Sequence, residues 1–326
     1  MEYCVAIRTL GKAGEKYQQE LDSLLSQTIP PKHVFVYIPE SYPLPRETVG
    51  IEEYVRCSKG MVAQRALTFG EVDTPYCLFL DDDVYLAPDS VEKLLLAIKK
   101  EDADCIAADT FKNQDMSLRM KIRSVMTTWA MPMMSHHWAF KVTRSCSFKY
   151  NNNPKRDYYF SQSAAGPCSL WRIDSFRKIQ FEDERWMDKQ LFAYGDDLVY
   201  FHKLYRNGGK LLVHYNCGVE HLDARTSRQR YESDYSRFFV RTFFLFTIWK
   251  RIQFDAHDLD FGDRFISTLA IFFRFLWEEI LMSAFSLSRF SVMPIINSVK
   301  GLLAGVKYTS SEDYKSINNF IVNNND

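Results

Sequence analysis

Short apolar runs alternate with segments of helical periodicity over the first 110 residues. Apolar strands joined by helices are typical of a mostly parallel sheet that helices cover on both faces. In such a sheet, ligands bind beyond the carboxyl ends of the strands. The sequence therefore predicts an α/β fold, with strands at 3–10, 33–39, 76–82 and 104–109 and helices at 14–27, 61–72 and 89–99.

The second half of the chain loses this regular alternation and then becomes helical. Residues 111–160 show no clear period. We expect a nucleotide- or ligand-binding domain at 1–230 and a helical region at 231–326, with a frayed tail at 316–326. Beyond residue 160 the predicted elements are a strand within 164–173, a helix within 196–209, a strand within 210–217, and helices at 235–252 and 263–285.

Composition and charge exclude several protein classes. Lys and Arg together number 41, as do Asp and Glu, so nothing favours binding to nucleic acid. The seven cysteines are scattered without a CxxC pair, which indicates reduced, mostly buried residues of a cytoplasmic protein. The N-terminus has no basic leader before an apolar core, so no signal peptide is expected. The most apolar stretch, 265–285, contains Arg274, Glu278 and Glu279, which argues against a membrane span.

Three adjacent carboxylates follow the predicted strand at 76–82. Asp81, Asp82 and Asp83 repel one another, so a buried strand that ends in them needs a counter-charge. Oxygen ligands of this kind suit Mg²⁺ or Mn²⁺, and the usual partner of such an ion is a diphosphate group. The alternative is a solvated acidic loop on the surface.

Other charged residues could belong to the same site. Lys59 and Arg65 bracket the helix predicted before this strand, and they offer positive charge to a nucleotide phosphate or base edge. Asp196 and Asp197 begin a predicted helix, where a carboxylate is electrostatically favoured. One of the two can serve as the N-cap and leave the other free as a general base. His221 follows a predicted strand and is either a packed or surface residue or a further metal ligand.

These motifs, taken in order, resemble the inverting family 2 glycosyltransferases of the GT-A fold, of the bacterial type. The resemblance spans roughly residues 3–225. The run "KGMVAQRALTFG" resembles the family's K-G-x-x-x-x-R-N helix, with Ala66 in place of Asn. The run "LFLDDDVYL" resembles its DxD strand, and "YGDDLVYFHKLYRNG" resembles its G-E-D helix, with Asp196 in place of Glu.

The resemblance implies a Rossmann-like GT-A domain over residues 1–230, with a mostly parallel sheet flanked by helices and a C-terminal helical extension at 231–326. It also implies Mn²⁺ or Mg²⁺ as cofactor. Lys203 replaces a family Arg, on what we expect to be an exposed face. By this match the nucleotide-binding residues are Thr9, Glu40, Lys59, Arg65, Asp81 and Asp82, the metal ligands are Asp83 and His221, and the catalytic residues are Asp197, as general base, and Asp196.

The function implied is metal-dependent, inverting transfer of a sugar from a nucleoside diphosphate sugar, with a UDP-type donor favoured. The acceptor is expected to be a saccharide or a lipid-linked saccharide in cell-surface polysaccharide synthesis. One alternative is a nucleotidyltransferase that forms sugar nucleotides, although residues 7–17 have only Gly11 and Gly14 to cradle a triphosphate. Another is a non-catalytic carbohydrate- or membrane-binding protein on a GT-A scaffold.

Two aromatic segments could contact an acceptor or a membrane. Residues 127–140 and 155–167 could form the acceptor side, although Trp129 and Trp138 could equally be core. His136 and His137 are adjacent in sequence, so a metal pair is not expected there. The segment 237–252 has bulky apolar residues with basic edges, as in a helix at a membrane interface or one packed on the catalytic domain. The first interpretation predicts peripheral contact of the C-terminal helices with the inner face of the cell membrane.

Overall fold

The fold is given by a computed structural model that describes residues 1–110, 138–189, 193–224 and 236–322. The strands in these residues are β1 (Tyr3–Arg8), β2 (Val34–Pro39), β3 (Glu52–Cys57), β4 (Tyr76–Asp81), β5 (Val84–Leu86), β6 (Cys105–Ala108), β7 (Phe140–Val142), β8 (Phe148–Tyr150), β9 (Tyr158–Phe160), β10 (Cys168–Arg172), β11 (Leu211–His214) and β12 (Val219–His221). Eight of them form one sheet, in the order β3-β2-β1-β4-β10-β6-β11-β9. All but β9 and β10 run in the same direction. Two small sheets pair β5 with β12 and β7 with β8.

Helices flank this sheet on both faces and continue beyond it. The helices of the described residues are α1 (Glu15–Leu25), α2 (Met61–Arg65), α3 (Ser90–Lys100), α4 (Ile173–Lys178), α5 (Asp196–Arg206), α6 (Ser236–Trp249), α7 (Phe261–Arg289), α8 (Met293–Thr309) and α9 (Glu312–Lys315), with a 3₁₀ helix at Phe181–Lys189 and a π-helical turn at Lys250–Phe254. The predicted α/β fold, with its mostly parallel sheet flanked by helices and its C-terminal helical extension, is confirmed.

The central strands are apolar along their whole length because both of their faces are covered. In β1, Tyr3, Val5 and Ile7 share a core with side chains of α1 and α3. The intervening Cys4 and Ala6 belong to a second core on the other face, with side chains of α2, α5 and α6. The six residues of β1 are accordingly all buried. This is the burial pattern expected of an internal parallel strand, and it explains the continuous apolar run in the sequence.

Two elements differ from the sequence prediction. The strand β3 is absent from the prediction because it lies at the sheet edge, where its charged, partly exposed residues hide the apolar pattern. The acidic cluster therefore follows the fourth strand of the chain and not the third. Helix α2 ends at Arg65 and not near residue 72. It ends early because Phe69 adopts a φ of 49° and packs its buried ring 4.7 Å from that of Phe79 and 5.3 Å from that of Phe176.

The expectation that Lys203 lies on an exposed face is wrong. Its side chain is fully buried in α5, where Nζ donates to the carbonyl of Gln180 at 2.9 Å and lies 3.2 Å from Glu184 Oε1. Glu184 also pairs with Arg251 of the π-helical turn, at 2.8 Å. Burial alone would raise the pKa of Glu184, but the two cations lower it to about 2. This buried cluster joins α5 to the 3₁₀ helix and to the C-terminal region.

The helix α6 packs against the sheet. Phe243, Phe244 and Ile248 are buried in the same core as the side chains of β4 and β10. Of the two interpretations of the segment 237–252, the structure therefore supports the packed helix. The predicted domain boundary between residues 230 and 231 lies outside the described residues and stays a prediction.

The chain end is docked up to its last described residue, so the expectation of a frayed tail is wrong for residues 316–322. Phe320 is fully buried. The side chain of Asn207 donates to the carbonyl of Phe320 at 3.2 Å and accepts from the N–H of Val322 at 2.6 Å. In the described ranges, none of the helices combines the length and the apolar character that crossing a membrane requires.

The predicted burial of the cysteines is confirmed. All seven cysteines are buried and none is in a disulfide. Burial raises the pKa of several of these thiols, those of Cys77, Cys105 and Cys168 well above the usual value, which keeps them protonated and unreactive.

Candidate active site

The counter-charge that the acidic cluster requires is supplied first by Arg8. Because β1 and β4 are parallel and in register, Arg8 lies beside Asp81 at the carboxyl ends of the two strands. One Nη of Arg8 is 2.9 Å from Asp81 Oδ1 and also donates to the carbonyl of Gly166 at 3.3 Å. The guanidinium of Arg8 is buried, whereas the side chain of Asp81 is one-third exposed. Arg8 therefore holds the carboxylate of Asp81 at the carboxyl ends of β1 and β4.

Arg65 connects the acidic cluster to the acid pair that begins α5. Its buried guanidinium is 3.9 Å from Asp81 Oδ2 and 3.3 Å from Asp196 Oδ2, and it donates to Asp197 Oδ1. It also lies over the ring of Tyr200, 5.9 Å from its centre. Burial disfavours a charged guanidinium, yet the three carboxylates more than offset this and raise the pKa of Arg65. Two motifs more than a hundred residues apart are thus joined by one side chain.

Asp197 is held from two sides. Besides the bond from Arg65, its Oδ2 accepts from the N–H of Gly166 at 3.0 Å. Its side chain is still 37% exposed, so a substrate hydroxyl can reach it. A Cβ on Gly166 would overlap Asp197 Oδ1 and lie 2.6 Å from both Nη atoms of Arg65. The absence of a side chain at position 166 is therefore a condition for this arrangement.

Asp196 has a different environment from that of its neighbour. It is the first residue of α5, and neither aspartate serves as the N-cap, because Gly195 occupies that position in a left-handed conformation with φ of 85°. Asp196 is buried, and burial raises its pKa to about 7 against the lowering effect of Arg65. The expectation that one aspartate caps the helix is therefore wrong. Both carboxylates still stabilise the start of α5, because the helix dipole attracts negative charge there.

Asp82 faces into the protein. Its Oδ2 accepts from the hydroxyl of Thr9 at 2.5 Å, and that hydroxyl accepts from the N–H of Gly11 at 2.7 Å. Burial raises the pKa of Asp82 to about 7, and Asp83 adds to the effect. Glu20 of α1 lies close by, fully buried, and accepts from the Val84 N–H at 3.1 Å. Burial also raises the pKa of Glu20 well above its usual value, which favours its neutral form.

Asp83 and His221 meet across the small β5–β12 sheet. His221 Nε2 is 3.0 Å from Asp83 Oδ1, and the N–H of Ala224 donates to Asp83 Oδ2 at 2.6 Å. Burial would raise the pKa of Asp83, but these hydrogen bonds lower it. The bond to Asp83 raises the pKa of His221. The two residues predicted as metal ligands are thus brought into contact.

This pair fits a divalent cation that also binds phosphate oxygens. The side chain of His221 is one-third exposed, and its Nε2 lies against Asp83 Oδ1, so an ion placed between the two groups would replace this contact. No cluster of three or more His, Cys, Asp or Glu side chains suited to a metal occurs in the described part of the chain. One or two protein ligands completed by substrate phosphates are, however, the usual arrangement for Mg²⁺ at nucleotide sites.

The other predicted nucleotide-binding residues lie at the same sheet edge. Glu40 follows β2 and is exposed, and its N–H donates to the carbonyl of Cys57 at 3.2 Å. Lys59 is exposed, with Nζ 5.2 Å from the centre of the Tyr42 ring, and Lys12 Nζ lies 5.0 Å from the same ring. Two lysines thus supply positive charge around Tyr42.

The N-terminus of α2 is already capped. Asp188 of the 3₁₀ helix accepts from the N–H groups of Val62 and Ala63, at 3.0 and 2.7 Å. A Cβ on Gly60, which has φ of 152°, would overlap the Asp188 carboxylate. This cap fixes the helix that carries Arg65.

Sequence reasoning missed Arg8 and Gly166. A signal for Arg8 was present, because a single charge at the end of the otherwise apolar run "YCVAIR" is costly to bury without a partner. Gly166 gave no such signal, since a glycine in a loop is common. The expectations about Trp129, His136 and His137 fall outside the described residues.

Residues 50–180 match the family model described as glycosyl transferase family 2. This segment belongs to that family. The family 2 segment includes Lys59, Arg65 and the acidic cluster at 81–83, whereas Asp197 and His221 lie beyond it. The resemblance predicted from the sequence, and with it the enzyme class of glycosyltransferase, is confirmed for this segment.

Among solved structures, this chain has distant likenesses. The crystal structure of S. aureus TarS is 11% identical, with a TM-score of 0.47, over 81% of this chain and 41% of TarS. Residues 1–349 of TarS, in complex with UDP-GlcNAc, give the same identity and TM-score over 83% of this chain and 70% of theirs. This chain thus spans less than half of the longer TarS structure. No curated protein matches this sequence.

Proposed function

We propose that this chain transfers a sugar from a nucleoside diphosphate sugar, of the UDP type, to a saccharide acceptor with inversion at the anomeric carbon. The observation that carries the proposal is that Arg65 joins Asp81, at the end of β4, to Asp197 at the start of α5. Residues expected to bind the donor and a residue expected to accept a proton thereby share one edge of the sheet. A leaving group and an attacking hydroxyl have to meet at such an edge.

In the proposed reaction the acceptor hydroxyl oxygen attacks the anomeric carbon, and Asp197 takes its proton. The bond between that carbon and the diphosphate oxygen breaks, and the nucleoside diphosphate leaves with the electron pair. Asp197 suits the role of general base because it is partly exposed and fixed by Arg65 and the N–H of Gly166. Asp196 is buried, so we assign it the positioning of Arg65.

Asp83 and His221 would hold Mn²⁺ or Mg²⁺ in this reaction. When bound, such an ion offsets the negative charge of the diphosphate group. The chain supplies further positive charge in the exposed Lys59. Glu40 and Asp81 would complete the nucleotide site, with Asp81 nearer the ribose. The buried pair of Thr9 and Asp82 would support this site from inside the protein.

We also propose that the acceptor is a saccharide or a lipid-linked saccharide of cell-surface polysaccharide synthesis, used at the inner face of the cell membrane. Aromatic side chains that suit a sugar face include Trp138, whose ring lies 6.0 Å from that of Tyr205. A lipid-linked acceptor requires a protein surface that contacts the membrane.

The decisive experiment measures nucleoside diphosphate release from a panel of sugar nucleotides, with and without Mn²⁺ and with saccharide acceptors. Asp197→Asn keeps the size of the side chain but removes its basicity. We expect this variant to bind donor normally, by calorimetry, and to lose transfer by about a hundredfold or more.

Unchanged transfer by Asp197→Asn would remove Asp197 from the role of base. Formation of sugar nucleotide from a sugar phosphate and a nucleoside triphosphate would favour the nucleotidyltransferase instead. Carbohydrate binding without turnover on any donor would favour the non-catalytic alternative.

A further inference from the structure

The helix α8 is oriented with its small residues inward and its large apolar residues outward. The buried residues of α8 are Pro294, Ser298, Gly301 and Gly305. The backbones of α8 and α6 approach closely there, so that a Cβ on Gly301 would overlap the Phe239 carbonyl. A helix at the surface of a soluble protein normally has the opposite arrangement. The exposed large apolar residues of α8 are Met293, Ile296, Val299, Leu303 and Val306.

The longer helix α7 has the same inverted arrangement. Its inner face buries polar groups, with Arg274 donating to the carbonyl of Ser145 at 2.6 Å and Glu278 paired with Arg241 at 2.6 Å. Its outer face is apolar from Phe261 to Leu287, about seven turns of helix. The exposed large apolar residues of α7 are Phe261, Phe265, Ile266, Leu269, Phe272, Phe273, Leu276, Ile280 and Leu287.

The turn between α7 and α8 is the most exposed apolar part of this surface. Phe290 is 100% exposed and Leu287 is 77% exposed, and Val292 follows at 63%. Phe290 is held there by a left-handed conformation, with φ of 49°, at the C-cap of α7. Single exposed apolar residues are ordinary, but a continuous surface of this kind indicates an interaction site.

The charges on α8 and on the turn before it have one sign. No Asp or Glu occurs between residues 280 and 311, whereas Arg289, Lys300 and Lys307 do, and all three are exposed. A second copy of the chain placed on α8 around a two-fold axis would bring these like charges together. The headgroups of anionic lipids would pair with them, and the acyl boundary would accept the apolar side chains.

We propose that the outer faces of α7 and α8, with the turn at Leu287–Met293, form a surface that inserts into the interface of an anionic membrane. This surface differs from the segment 237–252, which the structure buries. The proposal concerns lipid binding alone and does not depend on the proposed reaction. A result that contradicts lipid binding can therefore be distinguished from one that contradicts sugar transfer.

The test is flotation of the purified full chain with vesicles of phosphatidylcholine, with and without one third phosphatidylglycerol, at low and high salt. One variant, Leu287→Ser with Phe290→Ser, alters side chains that make little contact with the protein. A second, Lys300→Glu with Lys307→Glu, reverses the charge. The matched control is Leu96→Ser with Lys99→Glu, at exposed positions of α3 on the other side of the sheet.

We expect binding to the anionic vesicles that high salt weakens, with affinity lowered about tenfold or more by either test variant and unchanged by the control. Melting temperature and donor hydrolysis should stay the same in all three variants. Absence of flotation would overturn the proposal, as would flotation unaffected by the first variant. Sedimentation showing a dimer that Leu287→Ser with Phe290→Ser dissociates would make a second copy the partner and would also overturn it.

Discussion

Arg65 donates a hydrogen bond to Asp197, 132 residues further along the chain, and the same guanidinium lies 3.9 Å from Asp81. The positive charge at the centre of the site is therefore engaged with carboxylates of the protein. A base that is fixed by a buried cation keeps its orientation without needing substrate to order it.

Gly166→Ala should reduce transfer while leaving the fold intact. The added Cβ would overlap Asp197 Oδ1 and crowd the guanidinium of Arg65, so the two groups must move apart. We expect kcat to fall by at least tenfold, since a displacement of about an ångström at a reacting group costs on the order of a hundredfold. Donor affinity, measured by calorimetry, should change little.

Gly70→Ala is the control for this substitution. Gly70 has no atom within 4 Å of an added Cβ other than Thr68 Oγ1, at 4.0 Å, and its φ is not in the left-handed region. A Gly166→Ala enzyme with the kcat of the Gly70→Ala enzyme would show that the position of Asp197 does not limit the reaction.

Glu184→Gln should destabilise the protein strongly. Glu184 is buried between Lys203, at 3.2 Å, and Arg251, at 2.8 Å. The substitution leaves the buried Arg251 without this counter-charge and leaves Lys203 with Asp183 alone, at 3.4 Å. Breaking a buried ion pair from one side costs about 3–5 kcal/mol of unfolding free energy. Urea denaturation followed by circular dichroism measures the change. Glu312→Gln, in the exposed pair with Lys315, should have little effect; equal effects would contradict the importance of the buried cluster.

His221→Ala should weaken Mn²⁺ binding in the presence of UDP by at least tenfold, by analogy with the loss of groups that support a metal. Electron paramagnetic resonance of free Mn²⁺ measures this without any turnover. His33→Ala is the matched control, because His33 also lies near a carboxylate, 2.6 Å from Glu53 Oε1, but at the opposite edge of the sheet. Identical Mn²⁺ affinities for the two variants would exclude His221 as a ligand.

His202 should make the protein less stable as the pH falls. Its ring is buried, with Nδ1 donating to the carbonyl of Gln162 at 3.0 Å and Nε2 unpartnered within the described residues. Burial lowers its pKa to about 3, so between that value and the unfolded pKa of about 6.5 only the unfolded chain takes up the proton. Lowering the pH from about 7 to about 5 should cost about 2 kcal/mol through this group.

The measurement compares urea denaturation of wild type and His202→Gln at both pH values. Asp82 and Asp196, whose pKa values are raised to about 7, act in the opposite direction and stabilise the fold as the pH falls. Asp82 and Asp196 are present in both proteins, so the difference between the two pH dependences of stability reports the contribution of His202. His257→Gln, at an exposed position, should retain the wild-type pH dependence. A His202→Gln protein that also retains it would contradict the neutral state of His202.

Strand and helix periods were readable from the sequence where the apolar residues are the buried ones, as in β1, β4 and most of α3. They failed at β3, because an edge strand carries charged residues, and at α2, because the packing of Phe69 ends the helix. The helix α5 was found, but the environment of Lys203 was not. A local sequence pattern predicts that a lysine is exposed, and the buried partner of Lys203, Glu184, is known only from the structure.

The alternation of strands and helices in the first 110 residues, apart from β3, the acids at a strand end and the family resemblance of residues 50–180 could be predicted from the sequence. The roles of Arg8 and Arg65 as counter-ions of Asp81, and the outward apolar faces of α7 and α8, became evident in the folded chain alone. This is because periodicity reports which side chains share a face of one element. The partner against which that face packs is set by contacts between residues far apart in the chain.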